Sequence, residues 1–331
     1  MKTNLQIMLV LAIVLMTSTM AIAGEQGIYG GVLKAAMQAN PPTLDPHRTT
    51  NTVTQQIVSH VFEPLVAFDR SFRAEPVLLD SWEVAEDSLS YVLCLRQGVK
   101  FHNGKTMKAD DVKASLERII NTSPVSGYYD KVKEIIIVDD YTLRVSLEEP
   151  FNLVAAMTVQ VMWQGIMPKE YAELEKELDL DELIGTGPYQ YEEWRPDVHV
   201  RLTRFEDYEP IQKPASGFAG EKIAYFDEIL YIPVRELGAR LAGLQTGEYD
   251  YAEALAIPMK RTIENAPDLE THFVRPQWIP VWELNHTEPP MDNAKFRQAL
   301  MAILDMDEVM TTVTMGDPAF YSVHPGFVYG P

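Results

Sequence analysis

Apolar and polar positions alternate in several short runs and recur at helical spacing in others. Trp82-Glu83-Val84 and Tyr91-Val92-Leu93-Cys94-Leu95 flank an acidic turn at Glu86-Asp87, which predicts a β-hairpin over 82–96. A second hairpin is predicted over 134–147, where Ile135-Ile136-Ile137-Val138 and Leu143-Arg144-Val145-Ser146-Leu147 flank Asp139-Asp140. Strands are also expected over 31–37, 198–205 and 226–234, with 198–205 pairing to the strand that follows Gly185-Thr186-Gly187-Pro188-Tyr189. The prolines of Asn40-Pro41-Pro42-Thr43-Leu44-Asp45-Pro46 force an extended path there.

Helical spacing appears over 52–62, with Ile57, Val61 and Phe62 on one face, and over 109–121, with Asp110 and Asp111 in the first turn. Pro168 is expected to open a helix running to 178. Another is predicted over 235–246, closed by Gly247, and a last one over 293–304, with Phe296, Leu300, Ile303 and Leu304 on one side. Strands and helices interleave along the whole chain, so the fold class is α/β.

With 331 residues and 46% apolar composition, the chain has material for one large core or two ordinary ones. Lys+Arg number 28 against 48 Asp+Glu, a formal charge of −20, which argues against nucleic-acid binding. Cys94 is the sole cysteine; it rules out an internal disulfide and reads as a buried strand residue. At the N-terminus, Lys2, an apolar run from Ile7 to Met16 and Ala21-Ile22-Ala23 form a secretory signal peptide predicted to be cleaved after Ala23. No cysteine follows that run, so no lipid anchor is expected.

Catalytic motifs are missing at the expected spacings. Gly104-Lys105-Thr106 lacks a glycine at the upstream position of a P-loop, which Val99 occupies. The seven histidines form no close ligand pair, and there is no Gly-x-Ser-x-Gly elbow. The carboxylates at Glu148-Glu149 and Asp179-Leu180-Asp181-Glu182 read as solvated charge. No catalytic residue, metal site or cofactor is called for.

The segment Ser81–Ile120, with Trp82, Asp87, Tyr91, Gly98-Val99, Phe101, Gly104 and Asp110-Asp111-Val112, resembles the signature segment of one family. That family is the extracytoplasmic solute-binding proteins of peptide/nickel-type ABC importers, family 5. Further landmarks follow in the family's order: Pro42-Thr43-Leu44-Asp45-Pro46, Phe62-Glu63-Pro64-Leu65, Gly185-Thr186-Gly187-Pro188-Tyr189, Gln245-Thr246-Gly247-Glu248-Tyr249-Asp250 and Arg297-Gln298-Ala299-Leu300.

The resemblance implies a two-lobed type II periplasmic-binding-protein (Venus-flytrap) fold with an extra β-rich subdomain. The first lobe core would comprise 24–47 and 169–275, the subdomain 48–168, and the hinge with the start of a truncated second lobe 276–331. The implied function is periplasmic capture of a peptide or similar small solute by cleft closure and delivery to membrane permease subunits, without enzymatic conversion, by a monomer. A receptor feeding a chemoreceptor or sensor kinase is the alternative, and a secreted hydrolase a more distant one. By position, the resemblance points to His47, Arg48, Thr49, Thr50, Trp163, Gln164, Trp278, Ile279 and Asn285 as ligand contacts.

Overall fold

The computed structural model describes residues 27–159, 164–272, 284–317 and 320. The predicted signal peptide lies outside them. The chain divides into two compact units, Met1–Leu33 with Asn40–Tyr231 and Lys34–Ala39 with Ile232–Pro331.

In chain order the strands are β1 (Val32–Met37), β2 (Val66–Phe68), β3 (Ala74–Pro76), β4 (Leu79–Val84), β5 (Ser90–Leu95), β6 (Val132–Asp139), β7 (Thr142–Leu147), β8 (Tyr189–Arg195), β9 (His199–Arg204), β10 (Glu228–Pro233) and β11 (Tyr251–Ala252). The helices are α1 (Thr52–Val58), α2 (Ala109–Thr122), α3 (Leu153–Val159), α4 (Lys169–Ala172), α5 (Leu237–Thr246), α6 (Lys260–Glu264), α7 (Ala294–Ile303) and α8 (Met306–Val313).

In the larger unit, β4, β5, β7 and β6 form an antiparallel sheet in that spatial order. Period-two alternation sets its faces: Tyr91, Leu93 and Leu95 of β5 and Leu143, Val145 and Leu147 of β7 are buried. Helix α2 closes this face with Val112, Leu116 and Ile119, one apolar stripe at spacings of four and three. Burying each such side chain contributes about 1.5–3 kcal/mol. Cys94 belongs to the other face of β5 and is half-buried, which corrects the expectation of a buried thiol. The run is apolar on both faces, so alternation alone did not say which face is inward.

Two predicted helices are shorter in the structure. The helix expected over 52–62 ends at Val58, because the carbonyls of His60 and Val61 accept the N–H groups of Tyr189 and Gly187 at 3.1 and 2.9 Å. The helix expected over 168–178 stops at Ala172. Beyond it the backbone bonds elsewhere: the Leu178 N–H donates to Asp45 at 3.1 Å and the Lys176 carbonyl accepts from Arg118 at 3.1 Å.

The second sheet has the order β11-β1-β10-β9-β8. Strands β8, β9 and β10 are antiparallel neighbours, and β1 pairs parallel with β11 through Ala35–Tyr251 and Ala36–Ala252. In the smaller unit, α5 ends where predicted, with Gly247 in the left-handed region at φ 73°. The expected apolar side of α7 is present but uncovered among the described residues: Phe296 is exposed, and Ile303 is 76% exposed.

Candidate functional site

The smaller unit builds a polar edge from strand ends. β1 and β11 run parallel, and the Val234 N–H just past β10 donates to the Met37 carbonyl at the end of β1 at 2.7 Å. The residues that follow these strands therefore share one edge: Gln38, Val234-Arg235 and Glu253-Ala254. In open α/β sheets ligands bind outside the carboxyl ends of the strands.

This edge is fixed from within. The Glu253 carboxylate, buried, accepts the Gln38 N–H at 2.9 Å. Arg240 of α5 is buried and donates to three carbonyls, those of Val234 (2.7 Å), Arg235 (3.0 Å) and Ala254 (3.3 Å). A buried guanidinium that serves main-chain oxygens pulls two loops into one geometry. Ala254 has φ 50°, the left-handed region, and conformations of this kind are kept where surrounding bonds enforce them. Gln38 and Arg235 are exposed residues at this edge. Such an arrangement can hold a polar solute by hydrogen bonding and charge; no nucleophile–base pair is among these residues.

In the larger unit, the proline-rich segment is anchored by a buried ion pair. Arg118 of α2 grips Asp45 through both nitrogens at 2.9 and 2.5 Å, with both side chains essentially inaccessible. Burial alone would raise the Asp45 pKa; the Arg118 hydrogen bonds and charge, with the Leu178 N–H, outweigh it and hold the carboxyl below its ordinary range. His47 donates its backbone N–H to Asp45 at 2.9 Å. Its Nε2 meets the Gly165 carbonyl at 2.9 Å, which makes it the protonated nitrogen of a neutral ring. Burial and then the Arg118 charge push the His47 pKa down to about 4.

The residues carried over from the family thus occupy different settings. His47 and Gln164 are brought close together, since His47 bonds the residue next to Gln164, but both are buried. The Gln164 amide accepts from the Tyr129 hydroxyl at 2.5 Å and donates to the Ala156 carbonyl at 3.2 Å. The Arg48 guanidinium donates to the Glu175 carbonyl. The Thr49 hydroxyl accepts the Asn51 N–H at 3.0 Å, and Thr50 is exposed. Asn285 is exposed and caps a turn by accepting from the Thr287 N–H and hydroxyl at 3.1 and 2.7 Å. Trp163, Trp278 and Ile279 lie outside the described residues. The polar edge at Gln38, Arg235 and Glu253 escaped sequence reasoning. Its signal was position, the residue after each strand of an α/β pattern.

The recognisable motifs are structural knots. Lys105 of the Gly-Lys-Thr run pairs with the buried Asp111 at 2.5 Å and with Glu170 at 3.0 Å. Asp111 also takes the N–H groups of Lys108 and Lys169, both at 2.9 Å. His102 accepts the Gly185 N–H at Nδ1 (3.2 Å) and donates from Nε2 to the Gly187 carbonyl (3.0 Å). Burial holds its pKa at about 4, consistent with that neutral tautomer. Glu63 is buried and accepts from Thr186 (3.1 Å) and Tyr208 (2.9 Å), with Lys222 at 3.5 Å.

An open groove of about 560 Å³ lies in the same unit, lined by Trp82, Val84, Tyr91, Phe151 and Asn152 among others, with no charged side chain. Among the described residues, no group of three or more His, Cys, Asp or Glu side chains is placed to hold a metal ion. No helix of the described residues is long and apolar enough to cross a membrane.

Residues 73–331 match the model for bacterial extracellular solute-binding proteins, family 5 Middle. The glutathione-binding protein GsiB of Salmonella paratyphi A is 28% identical over 317 residues, covering 93% of this chain. The chain spans 59% of that relative's length. Among solved structures, the periplasmic binding protein DppA from Helicobacter pylori, in complex with the peptide STSA, superposes with a TM-score of 0.72 at 26% identity. That match covers 89% of this chain and 60% of the other. The dipeptide binding protein from Pseudoalteromonas sp. SM9913, in complex with Met-Leu, gives 0.73 at 24% identity over 86% of this chain and 59% of that one.

Proposed function

The chain belongs to family 5 of the bacterial extracellular solute-binding proteins, and from that premise we propose that it is the solute-capturing component of an ABC importer, delivering its ligand to permease subunits from the periplasm. The observation that carries this reading is the family match over residues 73–331, joined to a polar strand-end edge with no catalytic group on it. The ligand class we propose is a short peptide. The relatives named above are glutathione-, peptide- and dipeptide-binding proteins, and Arg235 with Gln38 suits a carboxylate and amide groups.

In this reading Gln38 and Arg235 of the smaller unit contact the solute; Arg48, Thr49, Thr50, Trp163, Trp278, Ile279 and Asn285 are the contacts that the family resemblance implies. His47 and Gln164 hold the contact loops in place from inside. The first-lobe core is 24–47 with 169–275, the subdomain 48–168, and 276–331 enters the second lobe. Capture works by hinge closure, which excludes water and strengthens each polar contact around the ligand. To move an open:closed ratio from 1:99 to 99:1, the ligand must favour the closed form by about 5.5 kcal/mol.

Isothermal titration with glutathione and a panel of di- and tripeptides tests this. Saturable binding is expected, weakened at least about ten-fold by Arg235→Ala, the scale of a charge-assisted hydrogen bond. A panel that gives no binding, or peptide turnover by the purified protein, would overturn it.

A further inference from the structure

The open groove of the larger unit, at about 560 Å³, has the volume of a small-molecule site, and its two walls hold each other in place. One wall is β4, β5 and the turn between them, which give Trp82, Ser88 and Tyr91; the other is the loop from β7 into α3, which gives Pro150, Phe151 and Asn152. The Tyr91 hydroxyl reaches across and donates to the Phe151 carbonyl at 2.8 Å, and the Leu153 N–H donates to the same oxygen at 3.0 Å. The Asn152 side-chain oxygen accepts the Ala155 N–H at 3.0 Å. Ser88 sits in the left-handed region at φ 58°, in a turn held by its own N–H to the Ala85 carbonyl at 2.8 Å and by the Leu89 N–H to Asp87 at 3.0 Å.

Three features of this groove select its ligand. Trp82, Tyr91 and Phe151 supply aromatic rings, whose quadrupole attracts a cation. Carboxylates bracket both walls: Glu86 and Asp87 directly precede Ser88, and Glu148 and Glu149 directly precede Pro150. Cα atoms two residues apart stand at most about 7 Å from each other, so these charges act within a Debye length, about 10 Å at about 0.1 M salt. Glu149 is paired with Lys131 at 2.6 Å, but Glu86 and Glu148 are exposed and make no ion pair among the described residues. Finally, the walls are short of free acceptors. Both lone pairs of the Phe151 carbonyl are taken, the Asn152 oxygen serves Ala155, and no charged side chain lines the groove. A primary ammonium or a guanidinium brings N–H groups that need acceptors; a quaternary ammonium brings none. We propose that the groove binds a quaternary ammonium ion carried on an apolar body, with the charge against the aromatic rings and the acidic rim drawing it in.

Isothermal titration of the chain with benzyltrimethylammonium chloride tests the proposal. One saturable site is expected. Dimethylbenzylcarbinol, uncharged and of nearly the same shape, should bind at least about five-fold more weakly, the scale of a cation–π contact. Benzylammonium should also bind more weakly, because its N–H groups go unmatched. Phe151→Leu keeps apolar bulk but removes a ring, and should cut the preference for the cation over the carbinol at least about two-fold. Glu86→Gln combined with Glu148→Gln removes two exposed charges and should weaken the cation while leaving the carbinol unchanged, which keeps the test decisive even where Phe151→Leu fails to fold. Raising the salt from about 0.01 M to about 1 M should act in the same direction. Peptide affinity, read in the same titrations, should not change in the double glutamine variant; a loss there would make the groove part of the peptide site and overturn its separate assignment. So would the absence of saturable cation binding, equal affinity for the carbinol or for benzylammonium, or cation binding that neither set of substitutions alters.

Discussion

Arg118 and Asp45 form a buried charge pair whose value lies in the geometry it enforces. The Asp45 carboxylate takes both terminal nitrogens of the guanidinium, and the pair recruits Leu178, Lys176 and His47 around it. Removing one partner leaves the other charged and buried, so Arg118→Met is expected to destabilise by about 3–5 kcal/mol in urea unfolding. Three histidines add a pH dependence. His47, His60 and His102 each titrate near 4, burial being the leading cause. In the unfolded chain they bind protons below about pH 6.5, while the folded chain does not until about pH 4. Stability should therefore be flat above pH 6.5 and fall as pH drops from 6.5 towards 4. The lowered pKa of Asp45 acts lower still: its contribution is present above the ordinary carboxylate range and is lost as pH falls through its folded value. Urea midpoints across pH 4–8 check this, and His102→Gln should flatten the slope. A wild-type profile without a slope between 6.5 and 4 would contradict it.

The turn 185–189 matters as an element because other backbone lies against it. A methyl group at Gly185 would stand 2.0 Å from the Val61 carbonyl oxygen, and one at Gly187 2.3 Å from that of His60. Gly104 has φ 81° with open space around it. Gly187→Ala is therefore expected to lose about 1–3 kcal/mol or fail to fold, by overpacking, while Gly104→Ala costs about 1 kcal/mol of backbone strain. Thermal unfolding of the two variants separates the two mechanisms; equal shifts would contradict the close approach at 187. At this scale much was legible in the sequence. The hairpins at 82–96 and 134–147 and the helices at 109–121 and 235–246 carry their own period, turn and cap signals. What was not legible depended on partners far along the chain. The helix from Pro168 stops because Asp45 and Arg118, more than fifty residues away, take the backbone groups of residues 176 and 178. Cys94 faces outward because α2 covers the other face of β5.

For the whole molecule, fold and candidate site were unequally readable. The landmarks that point to the family are knots of hydrogen bonds and close backbone contacts, such as Glu63 with Thr186 and Tyr208, or Lys105 with Asp111. They identify the scaffold because scaffolding is what they do. The polar edge at Gln38, Arg235 and Glu253 emerged once β1, β10 and β11 were placed side by side. No local pattern joins residues 38, 235 and 253, so topology alone assembles them. The Ser81–Ile120 segment, the most recognisable part of the sequence, supplies β4 and β5 of the larger unit's four-stranded sheet and its covering helix, and its Gly-Lys-Thr run serves an internal carboxylate. The central claim is that this chain captures a small solute and releases it unchanged. Native mass spectrometry of the protein purified under non-denaturing conditions from the extracytoplasmic fraction of its host tests it most directly. The account predicts a non-covalent adduct with the mass of a short peptide, lost on unfolding and restored by adding that peptide back. A protein that carries no adduct and takes up no member of a peptide panel, or that converts added peptide to fragments, would contradict it.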